Sequence, residues 1–120
     1  MADHIHLFEP GAKVTFTASD EITGGRLVEV TGNREVAHAA ANSVKVVGAA
    51  ARDTKDGEDV LVLRGGIQNL VASAAIAVGT RIKAAAAGKI QAVGAGENGI
   101  GITLTTSTAA DQLVQVALDQ

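Results

Sequence analysis

The chain has no cysteine, tryptophan or tyrosine, and its 120 residues include only two phenylalanines, one methionine and one proline. Without cysteine there is no disulfide framework, thiolate nucleophile or thiolate metal site, a composition compatible with the cytosol. With so few aromatic rings, base stacking and aromatic sugar platforms have almost nothing to be built from. No apolar run approaches the roughly 18 residues of a membrane-spanning helix. Residues 1–10 carry acids where a secretory signal would carry basic residues. A net charge of −3 argues against nucleic acid as a partner.

What is present is alanine, glycine and valine. Alanine supplies 23 of the residues counted in the 47% apolar fraction, so that fraction overstates the core of what the length makes a single domain. Full burial of a larger apolar side chain contributes roughly 1.5–3 kcal/mol, while fixing one residue's backbone costs on the order of 1–2 kcal/mol. Alanine adds little to the favourable side, so such a chain gains from burying surface against copies of itself. Charge is uneven along it: residues 1–60 hold 6 Lys/Arg and 10 Asp/Glu, residues 61–120 hold 4 and 3.

Glycine punctuates the chain at Pro10-Gly11, Gly24-Gly25, Gly32-Asn33, Gly57, Gly65-Gly66, Gly79, Gly88 and residues 94–99. Between these lie short alternating or doubly apolar runs, the signal of strands. VTFTA puts Val14, Phe16 and Ala18 on one face; RLVEV pairs Val28 with Val30; GITLTT sets Ile102 and Leu104 against Thr103 and Thr105; LVQVAL turns Val114, Val116 and Leu118 inward. VLVLR is apolar on both faces, as for a strand buried on two sides or one that meets a second subunit; on the second reading Leu61 and Leu63 are candidate subunit-interface residues. Turns about every ten residues predict a small all-β barrel or sandwich. Alanine, the best helix former, allows at most one short helix, around 72–77 or 108–112.

A faint internal repeat accompanies this pattern. A shift of 53 places Gly48 on Gly101 and lays VLVLR, without a gap, on LVQVA. A shift of 54 places Gly25 on Gly79, Val28 on Ile82 and Val36 on Ile90, which suggests two similar strand sets facing one core. The stretch VGTRIKAAAAGKIQAVG (78–94) reads as a hairpin. Ile82, Ala84, Ile90 and Ala92 form its apolar underside; Arg81, Lys83, Lys89 and Gln91 form a basic top, either solvated or facing an acidic neighbour.

Chemistry is sparse. Asp3, His4 and His6 supply too few ligands for a held metal ion. The acidic run RDTKDGED (52–59) lacks the spacing of a calcium loop and reads as a solvated turn. His38 stands alone among small residues. No nucleophile elbow, phosphate loop or dinucleotide fingerprint is present. The residues propose no enzyme, cofactor, metal or small-molecule substrate.

Taken in order from residue 10 to 118, the runs PGAKVTFTAS, TGGRLVEVTG, VVGAAARDTKDGEDVLVLRGG, AAIAVGTRIKAAAAGKIQAV and GIGITLTTSTAADQLVQVAL resemble a family of small tailed-bacteriophage head proteins, the capsid decoration or cement proteins. The resemblance implies a β-tulip-like barrel body over residues 10–120, homotrimers seated on the outer surface of an icosahedral head, and no catalysis. It implies the major capsid protein as partner, a place in the virion after synthesis in the host cytoplasm, and no nucleic acid or membrane contact. It further implies that an extended N-terminal arm, residues 1–9, lies along the capsid. Candidate contacts there are Asp3, His4, Ile5, His6, Leu7 and Phe8, with apolar Ile5, Leu7 and Phe8 suited to pairing at an exposed strand edge. Two other readings stand beside it: a head-fibre or adhesin-like carbohydrate- or receptor-binding module, and a small β-barrel enzyme.

Overall fold

The computed structural model describes residues 13–119. Ten strands follow one another: β1 (Val14–Ala18), β2 (Leu27–Gly32), β3 (Glu35–His38), β4 (Val46–Ala50), β5 (Asp59–Leu63), β6 (Ile67–Val71), β7 (Arg81–Ala84), β8 (Ile90–Ala92), β9 (Gly101–Thr103) and β10 (Leu113–Leu118). The first five close into a barrel in the order β1-β3-β2-β4-β5, and the last five form a sheet in the order β6-β10-β9-β7-β8. The chain is all-β, as its sequence predicts.

The two halves are built to one plan. In the antiparallel β1/β5 pair Phe16 lies opposite Val60, and 54 positions on Leu70 lies opposite Val114 in β6/β10. Val28 faces His38 and Gly48 in the barrel, as Ile82 faces Ala92 and Gly101 in the sheet. Ala50 pairs with Val62, Thr103 with Val116. The isolated antiparallel bridge Ile22–Thr54 recurs as Ile76–Ser107. The buried residues correspond too: Ala18, Ile22, Val28, Val36, Val60 and Val62 pack in the first core, and Ala72, Ile76, Ile82, Ile90, Val114 and Val116, each 54 positions later, in the second. A unit of this size buries too little surface to be secure alone, so two copies sharing a boundary is the stable arrangement.

They share it unequally. The barrel is closed by parallel pairing of β1 with β3, Thr17 opposite Glu35 and Ala18 opposite Val36. In the second half that seam shrinks to the single parallel bridge Ala72–Ile90, so its sheet stays open. Leu27, Ala39 and Ala49 from the barrel half complete the second core. The β7–β8 loop seals the junction: Asn42 N–H donates to Ala84 O and Gly88 N–H to Ala39 O. Gly88 is obligatory there, since its φ is +74° and a Cβ would stand 2.5 Å from Leu27 O.

Three local expectations are corrected and one facing is settled. The alanines at 72–77 form no helix; Ala72 and Ile76 are bridge residues, and 108–112 is a turn. Among the described residues the one helical element is a 3-10 turn, Ala86–Gly88. At β9 the expected alternation holds, and it is Thr103 that is buried and the following Leu104 that is exposed, because the Thr103 hydroxyl finds hydrogen-bond partners inside. Val30, which shares the face of buried Val28, and Ala92, expected on the apolar underside of the hairpin, are exposed. The last strand of the repeat registers at 54, not 53: the gapless match would lay buried Val60 on exposed Leu113, and a slip of one residue exchanges the two faces of a strand.

Candidate functional site

The groups with chemical potential are tied into the scaffold. His38 is half-buried on β3, and burial pushes its pKa below the ordinary histidine value; its Nε2 accepts the Thr23 N–H at 2.8 Å. In the 52–59 turn, Asp53 Oδ1 accepts the Gly24 N–H at 2.8 Å and Glu58 Oε1 accepts the Lys55 N–H at 3.2 Å, so these carboxylates hold loops together. Among the described residues no three His, Asp or Glu converge as metal ligands. Among the described residues, hollows dent the surface at two places that matter here. One, of about 180 Å³, lies between the halves against Val46, Gly48, Arg64, Ile100 and Asp119. The other, of about 360 Å³, is lined by Glu21, Thr23, Asp53, Lys55 and Glu58. Two carboxylates of the second lining, Asp53 and Glu58, are the ones already bonded to backbone N–H groups.

Interaction surfaces are therefore the functional candidates, and charge divides them. The β7–β8 hairpin has the predicted apolar underside, with Ile82, Ala84 and Ile90 fully buried. Its basic top is neutralised within the chain: Arg81 pairs with Asp119, Lys83 with Glu97 and Lys89 with Asp111. Hydrogen bonding to these cations lowers the pKa of each of the three acids, and Glu97 is lowered further by the Gly94 N–H. These are all the acidic residues beyond position 60. The acids of the first half behave differently. Asp20, Glu21, Asp53, Asp56, Glu58 and Asp59 stand exposed on or beside the loops at one end of the barrel.

The outer face of β6, β10 and β9 carries no charge at all. Ile67, Asn69 and Val71 lie across from Ala117, Gln115 and Leu113, and Ile102 lies on the other side of Ala117. Ile67 and Leu113 are 67% and 65% exposed and Leu104 41%, an unusual concentration of large apolar side chains in water. Leu61 and Leu63, the expected subunit contacts, sit half-buried on the outer face of β5. The expected capsid contacts Asp3, His4, Ile5, His6, Leu7 and Phe8, and with them the arm, lie outside the described residues. Sequence reasoning missed Ile67 and Leu113. The signal was present, since a strand whose alternate residues Val114 and Val116 turn inward must turn Leu113 outward.

A family model for the phage cement protein matches residues 8–118. The chain belongs to that family. Among solved structures, this cement-family chain superposes on the N base of the head fibre gp8.5 of bacteriophage phi29. The TM-score is 0.75 at 20% identity, covering 90% of this chain and 93% of that one. At that identity the likeness concerns the fold. No curated protein sequence matches the chain.

Proposed function

We propose that this cement-family chain decorates the outer surface of a phage head as a homotrimer. There it bridges neighbouring major capsid protein subunits and stabilises the shell against the outward pressure of packaged DNA. The family match over 8–118 carries the reading. The duplicated β body supports it, because a stiff scaffold with shallow hollows and exposed contact faces suits adhesion. Separating two shell subunits must then also break the contacts spanning them, and several weak attachments per trimer act together. In this reading the arm, with Ile5, Leu7 and Phe8 as its apolar residues, is the capsid contact, Leu61 and Leu63 lie between subunits, and nothing is catalysed.

The likeness to a head-fibre base favours a second reading, a fibre- or adhesin-type module that binds a host carbohydrate or receptor. One comparison separates the two. Heads carrying the chain and heads lacking it are imaged and then heated. Density over capsid joints and a higher rupture temperature are expected; heads that neither bind the chain nor gain resistance from it refute the cement reading. Deleting residues 2–9 is expected to leave a folded trimer that no longer binds heads.

A further inference from the structure

We propose that the hollow between the two halves is a socket for a carboxylate group, held by the guanidinium of Arg64. The inference stands apart from the trimer and cement readings. The carboxylate reaches the socket either as a free acid or as an Asp or Glu side chain of a neighbouring protein.

Four cations stand beyond position 60, and three are matched: Arg81 by Asp119, Lys83 by Glu97 and Lys89 by Asp111. These pairs use every acid of that stretch, and Arg64 is left. It is half-buried, and its Nε is enclosed with no hydrogen-bond partner among the described residues. A guanidinium stays charged at any physiological pH and presents five N–H donors in a planar fork. Enclosing part of that fork unbonded is unfavourable until an acceptor arrives. The Nε of Arg26 is also enclosed, but that guanidinium donates to Ala87 O. Arg64 lacks even such a bond among the described residues.

The hollow lies where the two halves present the same positions to each other. With Gly48 laid on Gly101 and Val62 on Val116, its walls pair off as Val47 with Ile100, Arg64 with Leu118 and Gly65 with Asp119. Leu118 packs against the second core. Leucine therefore satisfies the fold at this place, and the arginine of the first half answers to something other than packing. Its charge sets the sign of the ligand and its fork sets the shape, since a planar carboxylate accepts two parallel N–H bonds. Exposed Asp119 does not fill that role, because both its oxygens accept from Arg81, which also donates to Gly99 O. Arg64, Arg81 and Asp119 together leave the hollow one positive charge, which a carboxylate matches and a phosphate monoester exceeds. At about 180 Å³ it admits a carboxylate with a short stem, for which Val47, Ile100 and Leu118 are apolar walls.

The test is an NMR titration of the full chain, wild type and Arg64→Leu, with propionate, inorganic phosphate and, as the ionic-strength control, sodium chloride. Propionate is expected to shift the Arg64 Nε–H and the Val47 and Ile100 amides saturably, beyond the effect of chloride, and to act at least tenfold more weakly on Arg64→Leu. That variant is expected to melt at or above the wild-type temperature, because leucine is what the second half carries there. Binding of both chains to phage heads separates the sources. A tenfold or greater loss for Arg64→Leu puts the carboxylate on a protein of the head; unchanged head binding beside saturation by propionate makes a free acid the ligand. Heads that do not bind wild type count against the cement reading, and the titration alone then decides the socket. No saturation by propionate, with no loss of head binding in Arg64→Leu, overturns the socket. Tighter saturation by phosphate overturns the ligand class, and an Arg64→Leu chain that melts well below wild type shows that the arginine serves the fold, which overturns the inference.

Discussion

Replacing Thr103 by valine isolates the least expected feature of the second core. Thr103 is 1% exposed; its Oγ1 donates to Ala77 O at 2.8 Å and accepts the Thr80 N–H at 2.9 Å, tying β9 to the approach of β7. Valine keeps the shape and removes both bonds. At roughly 0.5–1.5 kcal/mol net for each bond, the loss is about 2 kcal/mol. For a domain of this size that is a fall in Tm of roughly 6–12 °C. Thr105 provides the contrast, because its hydroxyl accepts the Gln115 N–H at 3.0 Å in a more open setting, and Thr105→Val is expected to change stability by less than about 0.5 kcal/mol. Ile102→Ala trims a half-buried outward residue and is expected to cost about 1 kcal/mol, well below the roughly 2–5 kcal/mol of a core truncation. Thermal melts of the three variants order the effects. A Thr103→Val melt within a degree of wild type, beside a large loss for Ile102→Ala, would refute the facing of β9.

Further perturbations test the repeat and its charges. Gly48→Ala and Gly101→Ala place a Cβ 2.5 Å from Leu63 O and 2.7 Å from Ala117 O, so both are expected to lower the urea midpoint, each by about 1–3 kcal/mol of stability; a tolerated alanine at either site would contradict the strand spacing. Residues 67–119 expressed alone are expected not to melt cooperatively, because their core takes Leu27, Ala39 and Ala49 from the other half. Glu97, Asp111 and Asp119 have pKa values lowered by their cation partners, so the stability they contribute is fully present above the ordinary carboxylate range and lost as pH falls below about 4. Melts between neutral and acid pH are expected to flatten in a Lys83→Met/Lys89→Met variant, and an unchanged profile would remove those pairs from the acid response.

How far the sequence discloses this molecule depends on which residues mark a face. The 81–92 hairpin is legible because Ile82, Ala84 and Ile90 alternate with long cations whose charge can only point outward. β9 is not, because in Gly101-Ile102-Thr103-Leu104 both faces hold residues that can be buried, and a threonine whose hydroxyl is bonded internally sits in a core as readily as an isoleucine. β6 carries no strand signal of its own; Gln68 and Asn69 interrupt its apolar residues, and Gln68 is spent on bonds to Leu63 O and Gly65 O.

The repeat holds the missing information. Laying Gly48 on Gly101 carries buried Ala50 onto Thr103 and so fixes the inward face of β9. Laying Ala18 on Ala72 and Ile22 on Ile76 turns an apparent helix into the end of a strand and a bridge. Composition hides the repeat, since alanine, glycine and valine match one another at many shifts. Only the alternation of burial separates 54 from 53. The same comparison exposes where the halves diverge: the first keeps a lysine and an aspartate on its outer β1/β5 face, and the second replaces them with isoleucine and leucine. Residues that differ between two copies of one fold, without being needed by either core, are the ones free to serve an external contact. In this chain they lie on both outer faces: Ile67 and Leu113 of the second half stand where the first has Lys13 and Asp59, and Gln115 and Ala117 stand where it has Leu61 and Leu63.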